Sequence, residues 1–141
     1  MKCLRSFSLA AILGIWASAT TGATDIKIIA NSSVKASDIS SEDLRRVFLM
    51  KTNFLNDGSH VEPVLRNGSA THEAFLKQYI GKTDAVLNTY YRSLVFTGKG
   101  FMPKYLASDA AVAAYVAKTK GAIGYLSATS SAPGTKALVV K

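Results

Sequence analysis

A strand-like run and a helix-like run meet in the twelve residues Val64-Leu65-Arg66-Asn67-Gly68-Ser69-Ala70-Thr71-His72-Glu73-Ala74-Phe75. The first amides of a helix have no intrahelical partner, so they present free N–H donors and the positive end of the helix dipole. Ser69 and Thr71 add hydroxyl groups, and Arg66 adds a planar cationic fork that suits phosphate, sulfate or carboxylate oxygens. The pattern predicts an oxyanion-binding turn between a strand and a helix.

The side chains of this turn also have ordinary structural roles open to them. Ser69 suits the N-cap of the following helix, and Arg66 has Glu62 and Glu73 as candidate ion-pair partners. His72 lies in the first helical turn without a second histidine or carboxylate at metal-ligand spacing. We therefore expect His72 to be solvated rather than to bind a ligand.

Catalysis is not expected from these residues. His72 is three residues from Ser69 on the same helix, which is poor geometry for a triad, and no Gly-x-Ser-x-Gly elbow is present. Thr97-Gly98-Lys99-Gly100 lacks the glycine spacing and the Ser/Thr of a phosphate-binding P-loop. The sequence predicts neither an enzyme nor a bound cofactor or metal.

The rest of the chain predicts one α/β domain of about four strands and about four helices packed around a central sheet. Pro63 favours an edge position for the second strand, and Val86 is expected to face inward from the third helix. The predicted strands are 25–31, 60–66, 122–126 and 136–140. The predicted helices begin at Ser40 or Ser41, Thr71, Asp84 and just after Ser108, and those from Thr71 and Asp84 run to about Ile80 and Val95.

Residues 1–23 have the order of a secretory signal: Lys2 and Arg5, an apolar core, then small residues. The domain is therefore predicted to span 24–141 and to be periplasmic. Without the signal it has 15 basic and 9 acidic residues, a net charge of +6. The sole cysteine, Cys3, lies in the signal. The positive net charge attracts anions. The lysines form no basic run interleaved with aromatic residues, so nucleic acid is not the expected partner.

The order of motifs resembles the substrate-binding proteins of phosphate ABC transporters. The similar segments cover nearly the whole domain, and they are Ser41-x-x-Leu44-Arg45-Arg46-Val47-Phe48-Leu49-x-Lys51, Arg66-x-Gly68-Ser69-x-Thr71, Phe96-Thr97-Gly98 and Gly121-Ala122-Ile123-Gly124-Tyr125-Leu126. Full-length members have two lobes, and this chain matches only one of them. The resemblance implies a short, single-lobe, periplasmic-binding-protein-like domain.

The resemblance also implies a ligand set. Arg66, Ser69 and Thr71 fall on phosphate-binding positions, and the amides of Ala70 and Thr71 would face the anion, so the implied site is Arg66, Gly68, Ser69, Ala70 and Thr71. Ala70 stands where the family turn usually has glycine. The second lobe, which would supply opposing hydroxyls and a carboxylate, has no counterpart here.

Two functions remain open from the sequence. The first is an exported module that binds inorganic phosphate or a related oxyanion, weakly as a single lobe, in connection with phosphate ABC transport. The site would then be completed by a homodimer or another protein. The second is an interaction or sensor module that docks to a membrane transporter or sensor partner and binds no ligand of its own.

Overall fold

The described residues, 25–141, build one mixed six-stranded sheet in this computed structural model. The predicted signal peptide, residues 1–23, lies outside the described residues. The strand order is β2-β6-β1-β5-β3-β4. β1 runs antiparallel to β5 and β6, whereas β3, β4 and β5 are parallel. The strands are β1 Ile26–Asn31, β2 Asp38–Ile39, β3 Glu62–Arg66, β4 Lys104–Leu106, β5 Ala122–Ser127 and β6 Thr135–Val140.

Each of the four α-helices begins at a side-chain cap. A serine or threonine hydroxyl accepts a hydrogen bond from the amide three residues further on, which satisfies one of the free amides of the first turn. The capping residues are Ser40, Ser69, Thr83 and Ser108. The helices are α1 Ser41–Phe48, α2 Ala70–Phe75, α3 Asp84–Phe96 and α4 Asp109–Lys118, and α2 continues into a π-helical turn, Leu76–Ile80.

Two apolar clusters lie on opposite faces of the sheet. The larger one joins α1, α2 and α3 to the sheet, with Leu87 and Tyr91 contributed by α3. Within it, the rings of Phe48, Phe75 and Tyr125 contact one another. The smaller one packs α4 through Val112 and Val116. The domain therefore has three layers, as expected for an α/β fold with one central sheet.

Two strands were not predicted. β2 and β4 have only two and three residues, which is too short for an alternating pattern to be recognised. The expected edge position of Pro63 is wrong, because β3 lies between β5 and β4. The amide of Glu62 points to β5, where it donates to Gly121 O. The nitrogen of Pro63 therefore points to the other side, just before pairing with β4 begins at Val64, and no ladder bond is lost.

The third helix also differs from its predicted pattern. Leu87 and Tyr91 are buried as expected, but Val86 is about half exposed.

Gly81 ends the π-helical turn in the left-handed conformation, with φ of 72°, as the glycine predicts. Among residues 25–141, no helix combines the length and apolar character needed to cross a membrane.

Candidate functional site

The predicted turn lies at the carboxyl end of β3, where the chain enters α2. Gly68 has φ of +34°, a conformation that glycine adopts at low cost. The hydroxyl of Ser69 accepts a hydrogen bond from the amide of His72, so its predicted capping role is confirmed. The amides of Ala70 and Thr71 have no hydrogen-bond partner within residues 25–141. The turn therefore presents two free donors, as a helix start should.

Arg66 is held by a carboxylate from another element. Its Nε lies 2.7 Å from Oδ1 of Asp109, the first residue of α4. The N–H direction is off line for a hydrogen bond, and neither atom has another partner in the described part of the chain. The other oxygen of Asp109 accepts hydrogen bonds from the Ser130 hydroxyl and the Ser127 amide. The ion-pair partner of Arg66 is thus neither Glu62 nor Glu73.

The rest of the guanidinium remains available. The side chain of Arg66 is 20% exposed, and its two terminal nitrogens donate no hydrogen bond to any residue in 25–141. Two parallel N–H donors at the outer edge of a guanidinium match two oxygens of a phosphate or carboxylate. Asp109 therefore orients the arginine, and the outer edge of the guanidinium keeps its two terminal N–H donors without a hydrogen-bond partner in the described residues.

Thr71 and Ala70, the other two residues of the predicted site at the start of α2, differ in their exposure to solvent. Thr71 is mostly buried, and its hydroxyl makes no hydrogen bond within the described residues. Ala70 is exposed at the first position of α2. A groove of about 480 Å³ lies between α2, the end of the π-helical turn and the start of α3, and no residue of 66–71 lines it. This groove is therefore not part of the candidate site.

The expectation that His72 is solvated is wrong. The imidazole is 1% exposed, and its Nε2 lies 2.8 Å from Oδ1 of Asp84. Its Nδ1 contacts the hydroxyl of Tyr125, which also accepts a hydrogen bond from the Arg66 amide. A carboxylate only accepts hydrogen bonds, so in the neutral ring Nε2 carries the proton and Nδ1 accepts from Tyr125. Both ring nitrogens are occupied, and neither can act as a base for Ser69.

This network continues along α3. Oδ2 of Asp84 accepts from Asn88 Nδ2, and Asn88 Oδ1 accepts from the Tyr105 hydroxyl. Burial, followed by the nearby charge of Asp84, raises the pKa of Tyr105 to about 12. Burial is also the main reason that the pKa of Tyr125 lies well above its usual range. Both phenols therefore stay protonated and remain hydrogen-bond donors at neutral pH.

Sequence reasoning missed the residues that support the turn from other elements. Asp109, Tyr125 and Asp84 lie 43, 59 and 18 positions after Arg66. For Asp109 and Ser127 the sequence held one signal, which is their position just after or at the end of a strand. The carboxyl ends of parallel strands lie at the same edge of a sheet, where ligands bind in open α/β sheets. Asp109 follows β4, and Ser127 ends β5, so both belong at the edge where β3 ends with Arg66.

Comparison of the fold gives several similar structures. A phosphate ABC transporter substrate-binding protein from Clostridium perfringens, solved with bound phosphate, superposes with a TM-score of 0.63 at 18% identity. An ABC-type phosphate transport receptor from Vibrio cholerae gives 0.62 at 16% identity. PstS from Borrelia burgdorferi gives 0.62 at 15% identity. No protein-family model and no curated protein matches the sequence.

The matches cover 82% of this chain and only 44%, 45% and 47% of the three neighbours. The chain therefore spans less than half the length of the proteins that its fold resembles. The predicted fold is confirmed: the described residues form a single periplasmic-binding-protein-like lobe of the type found in phosphate-binding proteins.

Proposed function

We propose that this chain is an exported solute-binding module that holds inorganic phosphate or a related oxyanion at the turn Arg66–Thr71. The observation that carries the proposal is that one turn contains a guanidinium whose terminal nitrogens donate no hydrogen bond within 25–141, two unpartnered amides and the Thr71 hydroxyl. The likeness to a lobe of phosphate-binding proteins supports the same ligand. Export through cleavage after residue 23 and the domain limits 24–141 belong to this proposal.

The donor set favours a charged tetrahedral anion over a neutral solute. The guanidinium supplies a permanent positive charge and two parallel donors. The unpartnered amides supply directional donors at the positive end of α2. Asp109 uses both of its oxygens within the protein, one on Arg66 and one on Ser127 and Ser130, so it holds the arginine in place.

One lobe should bind weakly. A helix terminus contributes roughly 0.3 to 1 kcal/mol, and a hydrogen bond to a charged group roughly 1.5 to 3 kcal/mol. Their sum is roughly 2 to 4 kcal/mol, so it reaches at most the roughly 4 kcal/mol that corresponds to millimolar affinity. Tight capture would need a second surface, from another copy or from a membrane transporter, to exclude water and complete the ligand set.

Thermal unfolding of residues 24–141 across a phosphate series tests the proposal. We expect the midpoint to rise with phosphate beyond the rise in chloride at matched ionic strength, since a ligand at a hundredfold its Kd adds about 2.7 kcal/mol. A sulfate series separates a selective site from a general oxyanion site. No rise beyond chloride would overturn the proposal.

Substitution of Arg66 tests whether the stabilisation by phosphate arises at this turn. Arg66→Lys keeps the charge but loses the two-donor edge, so we expect a several-fold weaker response to phosphate. Arg45→Ala, on the exposed face of α1, removes the same type of residue away from the turn and should keep the full response. Arg66→Ala should also lower the ligand-free midpoint, because Asp109 loses its partner.

One observation favours the interaction module instead. Arg66 is already paired with Asp109, which gives the arginine a structural role without any ligand. Under that alternative, Arg66→Lys and Arg66→Ala change only the ligand-free stability, and the wild-type chain shows no phosphate response. The two functions therefore give opposite results in the same series.

A further inference from the structure

Three large apolar side chains protrude from one loop far from the candidate site. Phe96 is 94% exposed, Phe101 is 59% exposed and Met102 is 44% exposed. They flank the turn 97–100 that connects α3 to β4. We refer to Phe96, Phe101 and Met102 as the apolar tip. Exposed apolar residues are ordinary when isolated, but three in seven consecutive positions form a patch that needs an explanation.

The backbone of the tip is held in a fixed shape. Lys99 N donates to Leu94 O and Gly98 N donates to Val95 O, which is the pair of bonds of a Schellman motif. Gly98 takes the required left-handed conformation, with φ of 70°. The Thr97 hydroxyl adds a hydrogen bond to Ser93 O. The apolar side chains are therefore presented by an ordered turn.

The chain segment that contains the tip carries charge of one sign. No acidic residue occurs between Asp84 and Asp109, whereas Arg92, Lys99 and Lys104 lie within that interval. Arg92 is one helical turn before Phe96, on the same face of α3. Lys99 and Phe101 line a groove of about 550 Å³ together with Lys51, and Glu62 is the acidic residue in its lining.

We propose that the apolar tip docks this protein onto an anionic lipid membrane. Protruding rings flanked by cations match the boundary between headgroups and acyl chains, where rings enter the apolar layer and cations meet lipid phosphates. Phe96 rests in no groove of its own domain, so its ring can enter that layer without any rearrangement of the fold.

The position of the tip separates this inference from the oxyanion site. β4 is parallel to β3, and Lys104 pairs with Val64 whereas Leu106 pairs with Arg66. The tip precedes Lys104, so it lies at the amino end of these strands and the turn at Arg66 lies at the carboxyl end. Docking through the tip leaves the turn open to solvent.

Co-sedimentation with lipid vesicles tests the proposal on residues 24–141, which contain the whole described fold. We expect binding to phosphatidylcholine vesicles that contain phosphatidylglycerol, with a loss at high salt because the charges are exposed. We expect at least about tenfold weaker binding to vesicles of phosphatidylcholine alone. Equal binding to both vesicle types, or to neither, overturns the proposal.

Variants of the tip give the second part of the test. Phe96→Ser with Phe101→Ser should weaken binding at least about tenfold and leave the response to phosphate unchanged. Val139→Ser is the matched control, because Val139 is 66% exposed on β6, across the sheet from β4. If the double variant binds as the wild type does, a basic surface without the tip explains the binding and the proposal is wrong.

A fluorescent reporter is available because the only tryptophan, Trp16, lies in the predicted signal. Phe96→Trp therefore places the only tryptophan of residues 24–141 at the tip. We expect its emission to shift to shorter wavelength on addition of the anionic vesicles, because the ring enters an apolar layer. An unchanged spectrum under conditions of vesicle binding would contradict insertion of the tip.

Discussion

His72 links three elements through one buried side chain. It belongs to α2, contacts the β5 hydroxyl of Tyr125 and bonds Asp84 at the start of α3. Tyr125 in turn accepts from the Arg66 amide, so the same side chain supports the end of β3. A histidine in this position has a structural role next to the candidate site, which explains its burial without a ligand or a catalytic step.

Removal of this imidazole should lower stability. We expect His72→Phe to cost roughly 1 to 3 kcal/mol, because the buried hydrogen bonds to Tyr125 and Asp84 are lost. Urea unfolding measures the change. His60→Asn is the matched control, since His60 is exposed and makes no side-chain hydrogen bond in the described residues; it should change stability by less than about 0.5 kcal/mol. Similar losses in both variants would contradict this role.

At the scale of elements, Ser69 at the start of α2 has one observed role and one predicted role. The Ser69 hydroxyl caps the helix and is also a predicted ligand. Ser69→Asp separates these roles, because aspartate is a good N-cap but places a negative charge in an anion site. We expect stability within about 0.5 kcal/mol of the wild type and loss of the phosphate response, measured by thermal unfolding.

The control for this variant is the cap of another helix. Ser40 caps α1 in the same way, through the Asp43 amide, and α1 carries none of the predicted ligand residues. Ser40→Asp should therefore keep both the stability and the phosphate response. If Ser69→Asp keeps the phosphate response as well, Ser69 is only a cap and the anion does not bind at this turn.

Two glycines at element boundaries should differ in how much stability is lost when each is replaced by alanine. Gly81 and Gly121 both have positive φ, of 72° and 78°. An added Cβ at Gly81 meets no atom within 4 Å, whereas at Gly121 it would lie 2.7 Å from the carbonyl oxygen of His60. We expect Gly81→Ala to cost about 1 kcal/mol from backbone conformation alone.

Gly121→Ala should cost clearly more, because a backbone carbonyl must also move. Urea unfolding of the two variants side by side makes the comparison. Gly81→Asn provides the control, since asparagine tolerates the left-handed region better than alanine and should lose less stability. Equal losses for Gly81→Ala and Gly121→Ala would show that the chain relaxes away from His60.

At the scale of the whole molecule, buried phenols link stability to alkaline pH. Burial raises the pKa of Tyr105 to about 12 and holds those of Tyr91 and Tyr125 further above their usual range. In the unfolded chain the same groups ionise near pH 10. The folded state favours the neutral phenols. Their contribution to the free energy of unfolding is therefore complete below about pH 10 and is lost as the pH rises through the folded pKa values.

Urea midpoints measured from about pH 8 to about pH 11 test this dependence. We expect a steady fall above about pH 10. Tyr125→Phe removes one of the buried phenols, so its midpoint should fall less steeply with pH even though its stability at neutral pH is lower. A slope unchanged by this substitution would show that Tyr125 does not contribute to the alkaline loss.

The sequence alone determined the local structure and the fold class. Ser40, Thr83 and Ser108 mark helix starts, and Gly81 marks a helix end, because capping depends on residues within one turn of each other. The ordered motifs indicated a single lobe, which the similar structures confirm. Arg66 and Ser69 were placed on either side of one turn because only three positions separate them.

Only the tertiary structure decided what surrounds that turn. The pairing of Arg66 with Asp109, the burial of His72 and the interior position of Pro63 depend on how distant segments meet. Local sequence carries little information about such contacts, because each depends on strand order rather than on neighbouring residues. β2 and β4 were missed for a related reason, since strands of two or three residues form through pairing with a neighbour and have no periodicity of their own.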